Sequence, residues 1–176
     1  MSLPDGERTV VRESPGGING ATFDLQGRLV VCEQDARRVV RTEPDGSLTV
    51  LAESYGGARL NRSNDVVGGS DGSLYFTDPH FLMPESEREI GVAAVYRIAP
   101  DGTLHQAATD MNHPNGLAFS PDESLLYVSN TRPNPHTYVY EVAPDGSLSS
   151  GRVFDEMPYE PAEEGATFRS HSGQLR

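Results

Sequence analysis

Four residues stand at equivalent places in this chain and could together grip a hard metal ion: Asn19, Asn64, Asn115 and Glu164. They follow one another at intervals of 45, 51 and 49 residues. Amide and carboxylate oxygens that converge on one point suit a divalent cation such as Ca²⁺, Mg²⁺ or Mn²⁺, and no Cys or His cluster argues for a softer ion. A set with few carboxylates leaves the ion most of its positive charge, the condition for Lewis-acid use. Taken singly, Asn-Gly and Asn-Asp are ordinary turn dipeptides that bond their own backbone. Their common register is what argues for more.

What would gather these residues is a repeat. Each Asn opens a unit of three short apolar runs that ends in Pro44-Asp45-Gly46, Pro100-Asp101-Gly102 or Pro144-Asp145-Gly146, and Asp-Gly between strands is a strong hairpin signal. First strands are expected at 21–24, 65–67 and 117–120, and second strands at 29–33, 74–78 and 126–130. Third strands are expected at 38–42, 94–98 and 138–142. The second runs lack alternation, as strands covered on both faces do, while the third alternate more clearly and should lie nearer solvent. The period is that of a four-stranded propeller blade, whose first strand lines a central channel. The fold expected is therefore all-β: one partial β-propeller domain over 1–176, with units starting near 19, 64 and 115 and a partial one near 164. Pro4-Asp5-Gly6 before 9–12 reads as the outer hairpin of another incomplete unit. Residues 79–91 interrupt the second unit with Phe81, Leu82 and Met83 followed by Glu85, Glu87, Arg88 and Glu89, and are expected to form a lid.

Composition narrows the partners. With 14 Lys and Arg against 26 Asp and Glu, and a net charge of −12, there is no basic stripe for nucleic acid or an anionic membrane. The single Cys32 sits within an apolar run and reads as a small buried hydrophobe. No secretory leader or bilayer-length apolar run stands out, so a cytoplasmic location is expected. The glycine-rich 16–20 lacks the following helix and Lys of a phosphate loop, and the five histidines have no metal-ligand spacing.

Leu60 to Val67, Asp71 to Pro79 and His113 to Asp122 carry motifs that resemble those of the gluconolactonase, senescence-marker-protein and luciferin-regenerating-enzyme family. The likeness runs from about Gly17 to Phe154, and the Asn115 motif is its most specific part. It implies a six-bladed β-propeller that hydrolyses lactones, typically sugar-derived, with a divalent cation in its channel. Ca²⁺ is the first expectation, with Mg²⁺, Mn²⁺ or Zn²⁺ as alternatives. By the same resemblance, Asn115 corresponds to a metal ligand, Asn64 to a channel asparagine near metal and substrate, and Arg62 to a substrate-contacting arginine. The family's Glu-Gly-Pro ligand motif would fall upstream of residue 1. Its catalytic Asp opens a Pro-Asp-Gly motif where this chain has Glu163-Glu164-Gly165, so Glu164 stands as ligand or base.

The resemblance covers the middle half of such a protein, three whole units where six are expected. A truncated metal-dependent lactonase is thus the leading expectation. A non-catalytic propeller segment that binds a ligand or partner is the alternative. Three blades would also leave open strand edges, and self-association into a ring is one remedy.

Overall fold

The computed structural model describes residues 16–131 and 135–156. It holds three four-stranded antiparallel sheets. The first comprises β1 (Ile18–Phe23), β2 (Leu29–Glu33), β3 (Arg38–Thr42) and β4 (Leu48–Ala52). A short hairpin of β5 (Ser54–Tyr55) and β6 (Ala58–Arg59) leads to the second, made of β7 (Val66–Gly68), β8 (Leu74–Asp78), β9 (Ala94–Ile98) and β10 (Leu104–Ala108). The third comprises β11 (Pro114–Phe119), β12 (Leu125–Asn130), β13 (His136–Glu141) and β14 (Arg152–Glu156). Strands in every sheet lie in chain order, and β7 packs against both β1 and β11. Successive meanders with their first strands side by side are consecutive propeller blades.

The three Pro-Asp-Gly turns join the third and fourth strands of their sheets, as their sequence demands. In each, the Gly adopts the left-handed conformation, with φ of +84° at Gly46, +86° at Gly102 and +79° at Gly146. The Asp carboxylate accepts the N–H two residues on, at 2.9 Å from Ser47, Thr103 and Ser147.

Sheet packing follows the period-two alternation of strands. Tyr75 and Val95 turn toward the third sheet and join Leu126, Val128 and Tyr140. Phe76 and Tyr96 turn toward the first and join Val30, Cys32 and Val39. The Phe76 and Tyr96 rings stack at 5.3 Å, and the Tyr75 hydroxyl donates to the Gly146 carbonyl at 2.6 Å. Each large side chain so buried contributes about 1.5–3 kcal/mol.

Two expectations are corrected. The third strand of the middle sheet, β9, is buried at four of its five positions rather than alternating toward solvent, because sheets cover it on both sides. The first strands of the first and third sheets start earlier than expected: Asn19-Gly20 and Asn115-Gly116 lie inside β1 and β11. Register shifts there, between Ile18 and Ala21 and between Pro114 and Leu117. The pairs make bulges in strands, not turns before them. Residues 4–6 and 9–12 and the unit opening at Glu164 lie outside the described residues.

Candidate functional site

The bulges draw the first strands together at one end of the sheets. Gly20 donates its N–H to the Asn64 carbonyl at 2.7 Å. Leu117 donates its N–H to Oδ2 of Asp65 at 3.2 Å, while Oδ1 of the same carboxylate accepts the Val66 N–H at 2.9 Å. Asp65 thereby stitches the second sheet to the third, and its neighbour Asn64 stitches the second to the first.

Thr77, at the end of β8, completes the junction. Its carbonyl accepts the Asn64 N–H at 2.8 Å, and its own N–H donates to the Asp65 carbonyl at 3.0 Å. Its hydroxyl accepts the Asp65 N–H at 3.1 Å and donates to the Asn115 carbonyl at 2.7 Å. Asn64 and Asn115, expected from sequence to meet at one rim, thus hang from one residue. Asn64 is buried and Asn115 half-buried, and neither side-chain amide hydrogen-bonds to another described residue. These unspent amide oxygens are hard donors of the kind a Ca²⁺- or Mg²⁺-class ion takes, so the donor set fits such an ion. Asn19 does not join them. It is exposed, and its amide bonds the side chain of Gln34. Glu164 lies outside the described residues.

The segment before Asn64 is pinned from beneath. Asp78, next to Thr77, faces the other way and is fully buried. Its carboxylate accepts the Asn61 N–H at 2.7 Å and the Ser63 hydroxyl at 3.2 Å. Burial pushes its pKa up to about 7, against the lowering effect of those bonds and of the Arg37 charge. Arg37, itself at φ +60°, donates to the carbonyls of Leu60 at 2.5 Å and Asn61 at 3.1 Å.

With Asn61 and Ser63 turned inward onto Asp78, Arg62 between them points the other way. Its guanidinium donates to the Phe81 carbonyl at 3.1 Å and to the Asp35 carboxylate. Gln34, Asp35, Arg37, Arg62, Leu82, Met83 and Glu87 line a depression of about 200 Å³. Residues 79–91 therefore form one wall over Arg62. Met83 and Ile90 anchor this wall by burial, while Leu82 stands 86% exposed. The Phe81 ring meets the His113 ring at 5.4 Å, so the wall also reaches the Asn115 strand. Burial lowers the pKa of His80, with help from Arg88 and His113.

Sequence reasoning missed Asp65, Thr77 and Asp78. All three sit within stretches already singled out for their motifs, but only the sheet pairing shows what their side chains hold. Among the described residues, no three His, Cys, Asp or Glu side chains group as a metal-holding cluster.

Comparison with known proteins accords with this fold. A family model described as the SMP-30/Gluconolactonase/LRE-like region matches residues 2–172. A gluconolactonase of Zymomonas mobilis is 33% identical over 155 residues, which are 85% of this chain and 44% of that protein. A lactonohydrolase of Aspergillus oryzae is 28% identical over 144 residues, 66% of this chain and 33% of the other. Among solved structures, a gluconolactonase from Xanthomonas campestris superimposes with a TM-score of 0.72 at 41% identity, covering 80% of this chain and 49% of that one. A nidogen–laminin complex reaches 0.60 at 16% identity and shows the fold alone. The chain spans about half, or less, of the length of each relative.

Proposed function

Because the chain belongs to the SMP-30/gluconolactonase/LRE-like family, we propose that it supplies an arc of a lactone-hydrolysing site at the rim where Asn64 and Asn115 meet. The substrate is a small lactone, sugar-derived in the first instance. Asn115 and Asn64 hold a divalent cation, Ca²⁺ first and Mg²⁺, Mn²⁺ or Zn²⁺ as alternatives, with Glu164 as a further ligand or as the base. When bound, such an ion polarises the lactone carbonyl and steadies the negative charge that develops on it.

The remaining steps fall to side chains. Arg62, held by Asp35 and the Phe81 carbonyl, presents donors to the substrate oxygens from the wall side. The Asn64 amide approaches the same ring from the strand side. A water adds to the carbonyl carbon and yields its proton to the Glu164 carboxylate. The ring C–O bond then breaks, and the departing ring oxygen takes that proton to become a hydroxyl.

The observation that carries this reading is the shared suspension of Asn64 and Asn115 from Thr77. The test is hydrolysis of gluconolactone by the purified chain after chelation, with and without each cation. A rate that rises above the metal-free rate with at least one ion is expected; none rising with any ion defeats the enzyme reading.

The alternative is a ligand-binding propeller segment without turnover, since a fold alone does not fix an activity. That reading predicts saturable stabilisation of the melting transition by lactone with no product formed.

A further inference from the structure

We propose that Thr77 is the positioning residue that sets Asn64 and Asn115 to the spacing a shared cation requires. This rests on the proposed function and adds to it a residue that itself touches neither ion nor substrate.

Thr77 is fully buried and every polar atom it has is committed. Its backbone pair binds Asn64 and Asp65 within its own sheet, at 2.8 and 3.0 Å. Its hydroxyl does what the backbone cannot, reaching from the second sheet to the Asn115 carbonyl of the third at 2.7 Å. Because the oxygen also accepts the Asp65 N–H at 3.1 Å, its one proton is directed at Asn115. A β-branched residue in a strand has restricted χ1 freedom, so the hydroxyl is held in this direction without further support.

The place of Thr77 in β8 explains why the role falls here. Side chains at 75 and 77 share the face toward the third sheet, and those at 76 and 78 the face toward the first. Tyr75 ties the third sheet at its far hairpin through Gly146, and Thr77 ties it at the rim. The two bonds fix the second and third sheets against each other at both ends, but only the one at 77 ends on a residue of the candidate site.

Outer residues that orient ligands are worth roughly 10- to 100-fold in metal affinity. The test compares calcium binding by titration calorimetry across the wild-type chain, Thr77→Val, Thr77→Ser and Tyr75→Phe. Thr77→Val keeps the shape and loses the hydroxyl, and is expected to weaken calcium roughly 10- to 100-fold. Thr77→Ser keeps the oxygen and is expected to stay within about threefold of wild type. Tyr75→Phe loses an inter-sheet bond of the same kind away from the rim, and should lower the melting temperature while leaving calcium affinity unchanged.

If Thr77→Val binds calcium as wild type does, or weakens it no more than Tyr75→Phe, the positioning role is overturned and the proposed function stands. If Thr77→Ser is as weak as Thr77→Val, the hydroxyl is not the agent and the role is likewise overturned. That comparison survives a Thr77→Val that does not fold, because Thr77→Ser must then match the wild type. A wild type that binds none of Ca²⁺, Mg²⁺, Mn²⁺ and Zn²⁺ overturns the proposed function, and the positioning role with it; where one of the others binds in place of calcium, the same comparison is read with that ion.

Discussion

A Cβ built on Gly20 would lie 2.2 Å from Oδ1 of Asp65 and 2.5 Å from the Asp65 α-carbon. The first two sheets touch there through backbone, at the point where Gly20 donates to Asn64. Gly20→Ala must push β1 away from β7. The expected cost is about 1–3 kcal/mol in urea unfolding, together with weaker calcium binding because Asn64 moves. Unchanged stability would mean that the sheets are not in contact at this point.

Gly102→Ala makes the matching control. At φ +86°, with nothing within 4 Å of an added Cβ, the cost is conformational alone, about 1–2 kcal/mol. It should appear in urea unfolding with calcium affinity intact.

Arg62→Lys keeps the charge but not the fork that bonds the Phe81 carbonyl and Asp35 together. The expected outcome is a KM for lactone raised about tenfold with kcat within about twofold, the signature of lost uniform binding. Steady-state kinetics decides it, and a fall in kcat alone would place Arg62 in the chemical step instead.

Asp78 gives the protein a pH dependence with a definite sign. Its pKa is raised by burial from 3.8 to about 7, and the groups facing it are the Arg37 guanidinium, the Cys32 thiol and the Tyr96 hydroxyl. A raised folded-state value means that the folded chain holds the proton more tightly. The stabilisation is complete below the unfolded value and is lost as pH rises through about 7. Asp78→Asn abolishes that titration while still able to accept the Asn61 N–H. Its stability relative to wild type should therefore rise between about pH 5 and about pH 8, measured by urea unfolding at both. A difference that stays flat would show that Asp78 is already ionised at the lower pH.

Much of the fold was legible because its signals are local. The second and third strands of the first two sheets begin and end where the Val-, Leu-, Tyr- and Phe-rich runs do, at Leu29–Glu33, Arg38–Thr42, Leu74–Asp78 and Ala94–Ile98. The Pro-Asp-Gly turns fell where they were read. The first strands were misjudged because Asn-Gly has the same appearance in a turn and in a bulge, and only pairing with a neighbour separates the two. The burial of β9 was missed for a similar reason, since the sheet on its far side is remote in sequence.

The candidate site was legible in part. The register of Asn64 and Asn115 pointed to a common rim, and the backbone of each hydrogen-bonds Thr77. Asn19 shares the register but is exposed and spends its amide on Gln34. Thr77 and Asp78 lie within the Asp71 to Pro79 motif, but their role comes from facing opposite sheets, which a linear reading does not display.

The strictly sequential order of strands also bears on how the chain folds. Among the described residues every hydrogen-bonded strand partner is the next one along, so each meander can zip from its own turns without waiting for distant segments, a topology that favours rapid folding. The exception is the excursion from 79 to 91, which separates β8 from β9. Closure entropy grows only slowly with length, about 0.6 kcal/mol for each doubling, so the exposed stretch between the buried Met83 and Ile90 can be lengthened while the sheet beneath it still assembles.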